Sequence, residues 1–155
     1  MKPKVAIVMG SESDRPVVEE ALPYLEYFGI EADVRVMSAH RTPDAVQQFA
    51  SRARANGYGA IIACAGMAAH LPGVIAAYTT LPVIGVPLAG SDLQGVDALY
   101  AIVQMPAGVP VATMAIGKAG VRNAAIFAAQ ILALSHPEVA QKMDTFKQNK
   151  CRLPK

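Results

Sequence analysis

The sequence predicts a three-layer α/β fold with a five-stranded parallel sheet at its centre and C-terminal helices to finish. Three observations carry this. Apolar runs such as Lys4–Met9 and Ala60–Cys64 are continuous rather than alternating, as strands buried on both faces are. Each run is followed by a loop bearing glycine, serine or proline and then by a stretch with helical periodicity. Strands alternating with helices build a parallel sheet covered on both sides. Right-handed crossovers and short loops then give it a flavodoxin-like (Rossmann-like) order.

The elements follow in chain order. The first strand is Lys4–Met9, ending in Gly10-Ser11-Glu12-Ser13-Asp14. Pro16 opens a helical segment that runs to Phe28, since proline suits a first turn. Pro23 should kink this helix and Gly29 should cap it. The second strand, Ala32–Met37, alternates at Val34 and Val36. Ser38–Thr42 leads into a helix over Pro43–Asn56, capped by Thr42 and stopped by Gly57. The third strand is Ala60–Cys64, followed by the loop Ala65–His70 and a short helix over Leu71–Tyr78. The fourth strand is Pro82–Val86, and a helix over Gly95–Val103 precedes the fifth, Val111–Ala115. An alanine-rich helix covers Gly120–Leu134 and an amphipathic one Pro137–Lys150. No repeat, low-complexity tract or linker interrupts, so residues 1–155 read as one domain, with 137–155 as a C-terminal helix and basic tail.

Composition narrows the function classes. Only 17% of the residues are charged, against 53% hydrophobic, where soluble domains usually carry about a quarter charged. The net charge of +2 comes from the tail: Lys142, Lys147, Lys150, Arg152 and Lys155 lie in the last fourteen positions, and without residues 138–155 nine basic residues face ten acidic. That is a solvated terminal face and no nucleic-acid footprint. The 37 residues between Arg54 and Asp92 carry no charge, but glycines and prolines cut them into strand- and short-helix-sized pieces. No membrane span of about 20 apolar residues fits. With no signal-like N-terminal region, a cytoplasmic location is expected. Cys64 and Cys151 have neither CxxC nor zinc spacing, so neither a disulfide framework nor a metal site is expected.

In parallel sheets of this kind, ligands sit outside the carboxyl ends of the strands. The loops to read are therefore 10–14, 38–43, 65–71, 87–94 and 116–120. In the first, Gly10, Ser11 and Ser13 stand at a helix N-terminus, where backbone N–H groups, hydroxyls and the helix dipole suit a phosphate. The plain alternative is that Ser13 or Asp14 merely caps the helix. Asp14 would repel a phosphate and is better aimed at a sugar hydroxyl. In the second, Arg41 offers a fork of donors for phosphate or carboxylate, and His40 can move protons near neutral pH. The alternative is an exposed histidine in an ordinary turn. In the third, small residues let a flat ligand approach, and His70 is the one group able to act as a base. It also reads as a satisfied half-buried histidine. His136 receives no function. A P-loop, GxGxxG, GxSxG and a placed cysteine nucleophile are all missing. The residues describe proton transfer on a bound phosphorylated small molecule, without a cofactor.

Four motifs in this order and spacing resemble the PurE family: Gly10–Asp14, Ser38–Pro43, Ala65–Gly73 and Ala101–Pro106. The likeness continues through Gly108–Thr113, Ala115–Gly117 and Asn123–Ala125, spanning the chain from Val5 to about Leu134. Arg41 and Ala68-Ala69-His70-Leu71-Pro72 match its class I. Class II enzymes, which carboxylate aminoimidazole ribonucleotide directly with CO2, typically show Ser-Ala-His-Lys and Ala-Gly-Arg-Ser-Asn instead.

The resemblance implies an isomerase of purine biosynthesis that moves a carboxyl group from the exocyclic nitrogen of N5-carboxyaminoimidazole ribonucleotide to ring carbon C4. It implies that Ser11, Asp14 and Arg41 hold the ribose phosphate end, and that Ser13 and Ser38 support the phosphate. The backbone around Gly66, with His70 and Leu71, would frame the aminoimidazole, and His40 would be the general acid and base. CO2 would be retained between steps, with no metal, ATP, biotin or flavin, in a homo-octamer. Ala119–Leu134 and the uncharged 98–117 region are the candidate subunit contacts. Three departures stand out: Met67 where glycine is usual, Ala101 where serine is frequent, and Leu88–Asp92 in place of a hydroxyl- and glutamine-bearing loop. If position 67 takes a positive φ, methionine is strained there. A class II carboxylase is one alternative. Another is a flavodoxin-like electron carrier, which would need aromatic rings that the first three loops lack.

Overall fold

The computed structural model describes residues 2–154; Met1 and Lys155, the last of the basic tail residues, lie outside them. Five parallel strands, β1 (Lys4–Met9), β2 (Glu31–Val36), β3 (Ala60–Gly66), β4 (Val83–Leu88) and β5 (Ala112–Thr113), pair in the order β2-β1-β3-β4-β5. This is the flavodoxin-like order the sequence predicts. The helices are α1 (Arg15–Val18), α2 (Leu22–Phe28), α3 (Pro43–Arg52), α4 (Leu71–Tyr78), α5 (Val96–Val103), α6 (Lys118–Ala133) and α7 (Pro137–Gln148).

Side chains leave a strand on alternate faces, and β1 shows what that does here. Val5, Ile7 and Met9 pack with Ile62, Cys64, Ile84 and Val86 against α1, α2, α6 and α7. Ala6 and Val8 pack with Ile61, Ala63 and Val83 against α3, α4 and α5. Both faces are therefore dry, and each large apolar residue buried this way contributes about 1.5–3 kcal/mol. The alanine stripe of α6 (Ala124, Ala125, Ala128, Ala129) is fully buried in the first of these cores. Among the described residues, no helix is long and apolar enough to cross a membrane.

Three local expectations need correction. The segment from Pro16 to Phe28 is not one kinked helix: a 3₁₀ turn at Glu19–Ala21 separates α1 from α2. Pro23 has no N–H for the Glu19 carbonyl, and the Leu22 N–H takes that carbonyl at the tighter spacing instead. Gly29 does cap α2, with φ +76°. Thr42 occupies the N-cap position of α3, but its side chain makes no cap bond. The fifth strand is two residues long rather than five. Gly85 and Pro87 of β4 face β5, their carbonyls accepting from the N–H groups of Met114 and Gly117 at 2.9 Å. Pro87 has no N–H to return, so the regular ladder stops at Thr113.

Candidate active site

A cavity of about 630 Å³ opens at the carboxyl edge of the sheet, lined from the ends of β1, β2, β3 and β4. Ser11, Ser13, Asp14, Ser38, His40, Arg41, Gly66, His70 and Leu71 all line it. The loop 116–120 does not, nor do Ser91 and Asp92 of the fourth loop. Residues 87–94 are among the expected site loops, and Leu88, Ala89 and Gly90 of that stretch do line the cavity, although the sequence assigns none of them a role. The fourth strand is longer than the expected Pro82–Val86: β4 runs on to Leu88 and carries these residues to the cavity.

The first loop is held by its own hydroxyls. Ser11 caps the 3₁₀ turn Glu12–Asp14 by accepting from the Ser13 N–H, and Asp14 occupies the N-cap position of α1 without a side-chain cap bond. The two hydroxyl oxygens lie 2.8 Å apart. One hydroxyl donates to the other, which leaves one hydrogen directed elsewhere. Burial pushes the Asp14 carboxyl above its ordinary value of 3.8, offset in part by the Ser11 backbone.

The second loop is a turn tied on itself. Ser38 N–H donates to Thr42 Oγ1 at 2.9 Å, and that hydroxyl donates back to the Ser38 carbonyl at 3.1 Å. Ser38 Oγ accepts from the N–H groups of His40 and Arg41 at 3.3 and 3.2 Å. Thr42 is thus spent on closing the loop rather than on capping α3. Arg41 Nη2 crosses to donate to the Gly10 carbonyl at 3.2 Å, tying the second loop to the first. Its remaining donors stay free for an anion.

The third loop brings the second histidine. His40 Nε2 and His70 Nδ1 are 2.7 Å apart, with the rings edge to face at 87°. One N–H lies between them, so each ring fixes the tautomer and tilt of the other. His70 is therefore neither an isolated nor a satisfied core residue. Ala65 and Gly66 still belong to β3 rather than to the loop. A Cβ on Gly66 would sit 3.2 Å from the Leu88 carbonyl oxygen, so the close approach of β4 favours glycine there. Met67 takes φ +54°, the left-handed region that favours glycine.

Two other groups are accounted for. Cys64 is buried under the site, and burial drives its thiol far above the ordinary range, which makes it inert. His136 Nδ1 lies 3.0 Å from both Ser135 Oγ and the Leu132 carbonyl, closing the C-terminal end of α6.

A parallel sheet whose carboxyl edge gathers hydroxyls, an arginine and a histidine pair in one cavity has the architecture of an α/β enzyme of small-molecule metabolism. The chain belongs to the AIR carboxylase family, whose model matches residues 4–152. It is 53% identical to the N5-carboxyaminoimidazole ribonucleotide mutase of Thermotoga maritima over 146 residues, covering 94% of this chain and 84% of that protein. The Escherichia coli K12 protein of the same name is 54% identical, covering 94% and 86%. That of Saccharolobus solfataricus is 51% identical, covering 95% and 92%. The crystal structure of Treponema denticola PurE superposes with a TM-score of 0.87 at 29% identity, covering 97% of this chain and 92% of that one.

Proposed function

We infer that this chain is an N5-carboxyaminoimidazole ribonucleotide mutase, an isomerase that forms 4-carboxy-5-aminoimidazole ribonucleotide in purine biosynthesis. The observation that carries the reading is the division of one cavity by strand order. The loops after β1 and β2 supply Ser11, Ser13, Asp14, Ser38, His40 and Arg41, while the ends of β3 and β4 supply Ala65–Ala68, Leu71 and Leu88–Gly90 with no charge, and His70 reaches from the β3 side to His40.

Arg41 and the Ser11–Ser13 hydroxyl pair, with Ser38, take the phosphate end, and Asp14 accepts from a ribose hydroxyl. Among the described residues Asp14 has no basic partner, and it sits where a neutral donor would relieve its desolvation. Gly66, His70 and Leu71 frame the base. The reaction begins with His40 protonated. It gives its proton to the exocyclic nitrogen as the N–C bond of the carbamate breaks, and the bonding pair returns to nitrogen. The uncharged half of the cavity offers the released CO2 neither a hydroxide nor a general base. C4 attacks the CO2, and His40 takes the proton from C4, which restores its starting state. The ring of His70 holds His40 at one tilt through both transfers, so the acid and the base are the same nitrogen in the same place.

The test offers purified protein either N5-carboxyaminoimidazole ribonucleotide, or aminoimidazole ribonucleotide with bicarbonate. Efficient conversion of the first supports the mutase. Efficient use of only the second moves the chain to the class II reaction, and a yellow flavin-bound preparation would point to the electron carrier.

We further propose that the chain works in the cytoplasm as a homo-octamer. Leu93, Val96, Tyr100 and Val103 recur at helical spacing along one exposed face, 44–63% accessible. A groove beside β5 is lined by Ala76, Leu81, Val109, Phe127 and Ile131. Since the alanine stripe of α6 is used within the chain, these two surfaces are the better contacts. A monomer by light scattering overturns the assembly.

A further inference from the structure

Four non-glycine residues among those described hold a positive φ: Met67, Gln94, Lys150 and Cys151. Met67 alone of the four lines the cavity. Left-handed backbone is strained for any side chain with a Cβ, and such strain persists where a site uses it. The uncharged half of the cavity shows what the side chain adds. Its other walls are Ala65, Gly66, Ala68, Ala89 and Gly90, too short to reach across, with Leu71 and Leu88 packed into the protein at 3% and 4% accessible. Met67 is 61% accessible, so it is the one long apolar side chain on this wall still free to move.

A thioether on an unbranched chain adapts to irregular space and carries no strong hydrogen-bond donor or acceptor. Folded over a bound ligand, it excludes water without offering a base. We propose that Met67 is a positioning residue for the carboxyl transfer, closing the apolar half of the cavity over CO2 between its release from nitrogen and its capture by C4. This rests on the mutase reading above. The role needs no new bond. Met67 blocks the exit during the interval after the N–C pair has returned to nitrogen and before the C4 pair forms the new C–C bond.

The experiment supplies substrate labelled with ¹³C in the carboxyl group, in unlabelled bicarbonate, and measures both the label kept in product and the aminoimidazole ribonucleotide released. Wild type should keep the label. Met67→Gly should fold well, melting at the same temperature or roughly 2–4 °C higher because the strain is gone. Its released fraction should rise about tenfold, equivalent to about 1.4 kcal/mol of lost barrier to escape. Met67→Leu, which keeps apolar bulk, should restore retention. Equal label retention in wild type and Met67→Gly overturns the role of Met67 alone. Failure of the wild type to convert the labelled substrate at all overturns the mutase reading and this role together.

Discussion

Two clusters of charge on this molecule look alike in composition and are built oppositely. On β2 and its neighbours, Asp33 accepts from Arg35 at 2.8 and 3.0 Å and from the Tyr58 hydroxyl, while Arg35 also donates to Tyr58 at 3.3 Å. Lys4 lies 3.5 Å from Glu31 and sits 4.6 Å above the Tyr58 ring. Partial burial alone would raise Asp33, but hydrogen bonds from Tyr58 and Arg35 bring it below its ordinary value. At the cavity, among the described residues, no ion pair includes Asp14 or Arg41. Asp14 is raised by burial instead. The charges on β2 and its neighbours are matched to one another, whereas Asp14 and Arg41, which we propose serve a ligand, are left unmatched inside a cavity among the described residues.

The largest effect that tests this contrast is at His40. His40→Asn should lower turnover by about 10²–10⁴-fold, the range for loss of a general acid–base group, while a substrate analogue still binds by calorimetry. Unchanged turnover removes His40 from the chemistry. Next is Arg41→Ala, expected to raise KM by about 10–100-fold, as loss of a charged hydrogen bond does, with a smaller change in kcat. An unaltered KM would place the phosphate elsewhere. His70→Asn should impair activity more than stability. If it lowers only the melting temperature, the ring is packing and nothing more.

The smallest effects are on stability, and their signs divide the clusters. Asp33 has a lowered folded pKa, so its contribution is present above its ordinary 3.8 and is lost as pH falls through the folded value. Asp14 has a raised one, so the folded state gains relative stability as pH falls through that value toward 3.8, and its charge is a cost at neutral pH. Asp33→Asn should therefore destabilise the protein by about 1 kcal/mol at pH 7. Asp14→Asn should leave the melting temperature equal or higher while raising KM. Urea titrations at pH 7 and near 3.8 read the sign at Asp14, and a further titration below 3.8 reads the loss at Asp33; a destabilised Asp14→Asn protein would erase the distinction between the clusters.

Much of this was legible in the residues. Continuous apolar runs identify β1, β3 and β4 because both sheet faces are dry, and the topology rule then locates every one of the nine proposed site residues in one cavity. What was not legible depended on partners distant in sequence. The length of β5 depends on Pro87, a residue of its neighbour. Thr42 looks like a cap until Ser38 is seen to claim its hydroxyl. The sequence shows that Met67 departs from glycine, but not that its backbone accepts the left-handed region anyway.

The sequence by itself determined the layers, the strand order and which polar groups the loops carry to the carboxyl edge, because periodicity and loop chemistry are local properties. Only the tertiary structure decided that His40 and His70, thirty residues apart, share one hydrogen bond. It likewise decided that, among the described residues, Asp14 and Arg41 enter no ion pair. Pairing is a property of distance in space, and a chain that folds into parallel strands brings the ends of separate loops to one edge.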